Sequence, residues 1–183
     1  MKAIILNLFI AVGLFLSGCS DQSYLTGPSQ QDPQSSSTLI KLGTSGLHKA
    51  ISLSKTINGN TGGSIDIVGS FDDGKVQVNG TLTVPAGAYV GNQTITVLME
   101  GTYAVLDFGP SPFTFDIPLN FTMEITGLKI KGSTKNIQFV YISSDGSVSP
   151  VEMNGTTVAA PNGKSLSVYD AQLPHFSRYG WAK

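Results

Sequence analysis

The chain has 183 residues, with 11 basic and 12 acidic side chains and a formal net charge of −1. This balance gives no broad basic surface, so we expect no nucleic-acid partner. One cysteine and two histidines are too few for an internal disulfide or for a zinc site built from those residues. Catalysis that needs several histidines or cysteines is therefore not expected. We also expect no metal or other cofactor, and the length suits a single folded domain.

The N-terminus has the features of an export signal. Lys2 precedes an apolar run over residues 3–16, and Leu16-Ser17-Gly18-Cys19 follows it. A basic start, a short apolar run and small residues before a cleavage point are typical of a signal peptide. The run is also shorter than the ~20 residues of a membrane-spanning helix. The motif ending at Cys19, the only cysteine, resembles the lipobox of bacterial lipoproteins, in which that residue is acylated after cleavage.

This resemblance predicts a signal peptide over residues 1–18 and a lipid on Cys19, which would give the protein a membrane partner. The alternative is an ordinary secretory signal with an accidental cysteine. The resemblance implies a place in the bacterial cell envelope, and Ser20 favours the outer membrane by enterobacterial sorting rules. Residues 19–46 are rich in Ser, Gln, Pro and Gly, which predicts a flexible tether. Within it, residues 39–42 could add a first strand.

From residue 47 onward the apolar pattern has a period of two. In residues 75–84 apolar and polar side chains alternate, as a half-buried strand requires. Turn signals such as Asp72-Asp73-Gly74 and Asn162-Gly163 separate the alternating segments. The pattern predicts an all-β fold, an antiparallel β-sandwich over residues 47–183. The predicted strands cover residues 50–57, 64–70, 75–84, 94–99, 103–108, 113–117, 120–126, 137–142, 148–152, 165–173 and 176–181.

Several segments carry a family resemblance in their order and spacing. They are Gly62-Gly63, residues 82–88 leading into 93–97, residues 106–115, and the final segment His175-Phe-Ser-Arg-Tyr-Gly-Trp181. Together they resemble the domain shared by zonula occludens proteins, netrin receptors and ankyrins, the ZU-five domain, and above all its exported bacterial versions. The resemblance covers about residues 60–181. It implies a β-sandwich used as an interaction or spacer module, and it implies no substrate and no cofactor.

The triplet His175-Phe176-Ser177 is the one segment with candidate chemistry. In some eukaryotic members of that family, and in unrelated nucleoporins, a His-Phe-Ser sequence cleaves itself between Phe and Ser. Here Ser177 Oγ would attack the carbonyl of Phe176 while His175 assists proton removal, and water would hydrolyse the resulting ester. The alternative, which we favour, is a final strand with residues 175, 177 and 179 on one face and residues 176, 178 and 180 on the other.

The remaining candidates are weaker. Asp72-Asp73-Gly74 is favoured as a turn over a metal loop, because no segment has the spacing of a calcium loop. Aromatic side chains could stack on a sugar or a partner, although Trp181 is also a candidate for covering the end of the core. We expect a non-catalytic interaction or structural module whose partner is an envelope protein or glycan. Self-cleavage and carbohydrate binding are the alternatives. The stacking candidates are Tyr24, Tyr89, Tyr103 and Trp181.

Overall fold

The structure, a computed structural model, describes residues 38–42, 49–160 and 162–183. The predicted signal peptide, Cys19 and most of the predicted tether lie outside these residues. Those described form no helix, and hence none long and apolar enough to span a bilayer. Their strands are β1 (Ile51–Asn58), β2 (Gly63–Phe71), β3 (Val76–Val84), β4 (Asn92–Met99), β5 (Val105–Gly109), β6 (Phe113–Thr126), β7 (Gln138–Ile142), β8 (Val148–Pro150), β9 (Thr157–Ala159), β10 (Ser165–Phe176) and β11 (Arg178–Ala182).

The strands form two antiparallel sheets that pack face to face. One sheet has the order β1-β4-β5-β11-β7-β8, and the other has the order β2-β3-β6-β10-β9. The apolar side chains of both inner faces join one continuous core. The predicted all-β sandwich is therefore confirmed, and the strand order is new information, because neighbours such as β5 and β11 are far apart in sequence.

Strand β3 shows how the sequence pattern produces a sheet with one buried face. It lies between β2 and β6, and its apolar residues alternate with polar ones, so the two sets point to opposite faces. Gly80 occupies a core-facing position, where a β-carbon would lie 2.8 Å from the Thr122 carbonyl oxygen. The backbone packs too closely there for a larger residue. The buried apolar side chains of β3 are Val76, Val78, Leu82 and Val84.

The turn between β2 and β3 confirms the predicted Asp72-Asp73-Gly74 signal. All three residues have positive φ, at 52°, 53° and 83°. Aspartate tolerates the left-handed region better than most residues, and glycine enters it without steric cost. The run of residue types that this backbone needs is therefore visible in the sequence itself.

Two features of the strands differ from the sequence prediction. The segments 113–117 and 120–126 join into β6, because Pro118 sits where the pairing with β10 shifts register between Leu173 and His175. A proline is tolerated in a sheet at such irregular positions. Strand β9 was not predicted, since its three residues are too few to show a period.

The folded part begins earlier than the predicted boundary at residue 47. The amide of Thr38 donates to the carbonyl of Lys183 at 3.0 Å, and the amide of Ile40 donates to the carbonyl of Trp181 at 2.9 Å. Ile40 and Leu42 are buried in the core. Residues 38–42 therefore pack with the sandwich, where Leu39 and Lys41 form isolated bridges to Ala182 and Tyr103 rather than a full strand.

The chain changes sheets at Ser177. Strand β10 belongs to the five-stranded sheet and β11 to the six-stranded sheet, and Ser177 is the residue between them. The predicted alternation across residues 175–181 therefore breaks at this point: Phe176 is buried whereas Arg178 is exposed, although both were predicted to share a face. This crossover brings His175 to an opening in the sandwich.

Candidate functional site

A groove of about 240 Å³ opens beside His175. It lies near the place where the chain leaves β8 and crosses to the five-stranded sheet, with Glu152 and Gln172 on its wall. The main-chain amide of Gln172 donates to the main-chain carbonyl of Glu152 at 2.8 Å, so the crossing segment is bound to β10. We call this feature the His175 groove. Its lining includes Tyr141, Glu152, Gln172, His175 and Tyr179, together with prolines 118, 150 and 174.

His175 is held by two tyrosines. Its imidazole meets the Tyr141 ring edge to face, with ring centroids 5.0 Å apart. The Tyr179 hydroxyl donates to the His175 carbonyl at 3.0 Å, and the same oxygen lies 3.3 Å from Nδ1. Burial raises the pKa of Tyr179 well above its ordinary value, and the neighbouring Tyr141 adds to the shift. Tyr179 therefore stays protonated and serves as a hydrogen-bond donor.

The polar groups of the groove are set in an apolar frame. Gln172 Nε2 donates to Asn120 Oδ1 at 2.7 Å, which fixes the amide against β6. Glu152 is exposed, and Tyr141 is partly exposed at the groove. A cavity with an aromatic ring, apolar prolines and a few positioned polar groups has the composition of a small ligand-binding site.

The structure separates the members of the His-Phe-Ser triplet. Phe176 is only 2% exposed and packs edge to face on Phe115, with ring centroids 4.7 Å apart. The carbonyl of Ser177 accepts the Phe108 amide at 2.8 Å. Within the described part of the chain, no hydrogen bond joins the His175 imidazole to the Ser177 hydroxyl. The imidazole instead faces the two tyrosines, so the triplet has a packing role in this conformation.

An ion pair that the sequence did not reveal lies next to the crossover. Arg178 Nε donates to Asp107 Oδ1 at 2.8 Å, and Nη2 donates to Oδ2 at 3.1 Å. The two residues face each other in the register of β11 and β5. The pair with Asp107 raises the pKa of Arg178, so the guanidinium stays charged. Only the strand order brings these residues together, and no local pattern could have indicated it.

The aromatic candidates for sugar stacking divide into three groups. Tyr89 and Trp181 are buried, 4% and 0% exposed, so neither offers a ring for stacking on a sugar. Trp181 packs against Phe139 in the core, in line with the alternative weighed for it. Tyr103 is 37% exposed. Tyr24 lies outside the described residues. Tyr141, which does line a groove, was missed because its strand has apolar side chains on both faces, so nothing in the pattern marked the tyrosine as accessible.

Metal ligands are not brought together in the described residues, where no cluster of three or more His, Cys, Asp or Glu could hold an ion. Asp72 pairs with Lys75 at 3.5 Å and belongs to a turn. His48 and Cys19 lie outside the residues that the structure describes.

The chain matches no protein-family model, no curated protein and no solved structure among those with which it was compared. The resemblances to bacterial lipoproteins and to the ZU-five domain therefore remain predictions that rest on the residues quoted for them.

Proposed function

We propose that this protein is an exported lipoprotein whose β-sandwich acts as a non-catalytic interaction or structural module of the bacterial cell envelope. The observation that carries the proposal is the N-terminal pattern, in which the only cysteine of the chain follows Leu16-Ser17-Gly18 at the end of a short apolar run. The partners would be a membrane, through the lipid on Cys19, and an envelope protein or glycan, through the sandwich. Ser20 favours the outer membrane as its location.

The character of the sandwich supports this role. Its core is continuous across both sheets, and the ends of the described chain are hydrogen-bonded to each other through Thr38 and Lys183. Such a body can present a rigid surface outside the membrane. The ZU-five resemblance implies the same kind of use, as a module that binds or spaces other parts.

Lipid attachment is tested by labelling cells that express the full chain with radioactive palmitate. The wild type should take up label and sediment with membranes after a carbonate wash, because two or three acyl chains anchor a protein stably. Cys19→Ala should lose both properties, whereas the matched variant Ser23→Ala should keep them. The anchor would be refuted if the wild-type protein incorporated no palmitate, or if the Cys19→Ala protein stayed on the washed membranes.

The His175 groove favours glycan binding as a second candidate function. The Tyr141 ring offers a surface for a sugar face, and Glu152 and Gln172 offer hydrogen-bonding groups beside it. Soluble peptidoglycan fragments are the appropriate probe, with binding followed by calorimetry. Tyr141→Ala should abolish the heat signal, whereas Tyr169→Ala, which removes an exposed tyrosine from outside the groove, should not. Equal binding by both variants would exclude the groove as the site.

A further inference from the structure

The strand directions bring a particular set of loops to one end of the sandwich. The turn of residues 72–75, which joins β2 to β3, lies at this end, and the β6–β7 loop of residues 127–137 lies alongside it. A β-carbon on Gly127 would collide with the Lys75 carbonyl oxygen, and the amide of Leu128 donates to the carbonyl of Lys164 at 3.0 Å. A β-carbon on Gly132 would lie 3.5 Å from Lys183 Nζ. These contacts place the two loops, Lys164 and the end of β11 side by side.

Exposed lysines are concentrated at this end, which we call the lysine end. The β6–β7 loop carries Lys129, Lys131 and Lys135, and Lys164 precedes β10 beside them. Lys183 follows β11 at the same end. Lys41, Lys49 and Lys75 also belong to this end. Of the basic residues that the structure describes, only Lys55 and Arg178 lie away from it, along strands.

The opposite end of the sandwich has the contrary charge pattern. Its loops are residues 59–62, 85–91, 110–112 and 143–147, all of them described. They contain no lysine or arginine, and the last of them carries Asp145. The chain has a formal net charge of −1. A nearly neutral protein has thus gathered its positive charge at one end.

Acidic residues neutralise only part of the lysine end. Asp72, Asp73 and Glu100 lie in its loops, and Lys75 is paired with Asp72. Among the described residues, Lys129, Lys131 and Lys135 form no ion pair with a carboxylate. The β6–β7 loop therefore presents a net positive surface to whatever lies beyond this end.

The described chain also enters the sandwich at the lysine end. Thr38 exchanges two main-chain hydrogen bonds with Lys183, at 3.0 and 3.1 Å. Cys19 precedes Thr38 by 19 residues (38 − 19), a stretch that can span at most about 65 Å. A lipid on Cys19 would thus tether the sandwich to the membrane through this end, within that distance. Tyr103 adds a 37% exposed ring there, with Lys41 Nζ 5.9 Å from its centroid, and tyrosine suits the headgroup region.

We infer that the lysine end docks on the anionic phospholipid headgroups of the membrane that holds the anchor, an inference that rests on the proposed lipidation of Cys19. A negative lipid surface attracts clustered lysines within about one Debye length, ~8–10 Å. The lipid brings the sandwich within reach, and the lysines then orient it with the lysine end toward the headgroups. The lysines act together with the acyl chains as a second membrane contact.

Vesicle binding tests the docking separately from the anchor. The chain from Ser20 onward lacks the leader and Cys19 but retains every described residue, and all described core contacts lie within it. It is mixed with vesicles of phosphatidylethanolamine and phosphatidylglycerol, or of phosphatidylcholine alone, and the bound fraction is measured by co-sedimentation. We expect binding to the anionic vesicles only, with affinity falling as salt is raised.

The variants are matched in charge. Lys129→Gln, Lys131→Gln and Lys135→Gln together lower the net charge by three and should weaken vesicle binding by about tenfold or more. The control, Lys55→Gln with Asn60→Asp and Ser144→Asp, lowers the net charge equally at exposed sites away from the lysine end, and it should retain most of the binding. Circular dichroism verifies that both proteins are folded. The salt dependence of wild-type binding tests the docking without any variant.

Each other outcome would overturn the docking. These are equal binding to both kinds of vesicle, equal loss in both variants, or no binding to anionic vesicles, whether or not the chain binds soluble peptidoglycan fragments. None of them bears on lipidation, because this chain carries no Cys19. Conversely, a failure of palmitate labelling would refute the anchor while leaving the vesicle measurement intact.

Discussion

The Tyr179 hydroxyl donates a hydrogen bond to the main-chain carbonyl of His175 at 3.0 Å, across the residue at which the chain passes from one sheet to the other. Donor and acceptor belong to different sheets, so this bond fastens β11 to β10 at the crossover. It also fixes the backbone that presents the His175 imidazole to the groove.

Removing this hydroxyl should destabilise the crossover. Tyr179→Phe leaves the carbonyl of His175 without its donor, and we expect the free energy of unfolding to fall by about 1 kcal/mol. Urea unfolding of the two proteins measures the difference. Tyr141→Phe is the matched control, because the Tyr141 hydroxyl makes no hydrogen bond described in the structure, and it should change stability little. Equal losses in both variants would contradict the role assigned to Tyr179.

The alternating strands could be predicted from the sequence because the alternation of apolar and polar residues is visible within each strand alone. β3 and its turn at Asp72-Asp73-Gly74 need only neighbouring residues for their prediction, since side-chain alternation and positive φ are local properties. Strand order is not local. The pairing of Arg178 with Asp107 depends on β11 entering the sheet beside β5, and 71 residues separate the two side chains.

The groove escaped prediction for the same reason. Tyr141, Glu152 and His175 come from three separate parts of the chain, and the crossing segment after β8 brings them to one opening. The sequence did single out His175, but for chemistry with Ser177 rather than for its contacts with tyrosines. Adjacent residues in a sequence need not share a site when the chain changes sheets between them.

The segment before β1 should contribute to folding. Leu42 is only 1% exposed in the core, so Leu42→Ala removes buried methyl groups and should lower the free energy of unfolding by about 2–5 kcal/mol. The neighbouring Lys41→Ala, at an exposed position, should cost far less. Thermal and urea unfolding measure both. If Leu42→Ala proves as stable as Lys41→Ala, the folded domain does not begin at Thr38.

Glycine at the lysine end should be indispensable where a carbonyl approaches it. Gly127 has φ of 77°, and a β-carbon there would collide with the Lys75 carbonyl oxygen. We expect Gly127→Ala to cost about 3 kcal/mol or more, because steric conflict adds to the left-handed strain. Gly91 has a similar φ of 79° but open space around it, so Gly91→Ala should cost about 1 kcal/mol. Urea unfolding measures both variants. If they lose similar free energies of unfolding, the close approach of the Lys75 carbonyl to Gly127 does not contribute to the cost.

The β7–β8 turn should respond to acid. The Ser143 hydroxyl and then the Ser147 amide, which donates at 2.9 Å, lower the pKa of Asp145 from 3.8 to about 2. Because the folded pKa is depressed, the stability due to these bonds is present above pH 4 and is lost as the pH falls toward 2. Carbon NMR of the Asp145 carboxyl should give a midpoint near pH 2. Asp145→Asn should remove this contribution to the pH dependence, and a carboxyl titrating near 4 would show that the turn bonds are absent.

The bond between Phe176 and Ser177 should remain intact. Self-cleavage needs the His175 imidazole beside the Ser177 hydroxyl, whereas the structure directs that imidazole to Tyr141 and Tyr179 and buries Phe176. Intact mass spectrometry under denaturing conditions should therefore give a single species that retains residues 177–183, and Ser177→Ala should differ only by the mass of the substituted oxygen. Release of the seven-residue peptide from the wild type, and its absence in Ser177→Ala, would instead show that the triplet rearranges into a reactive form.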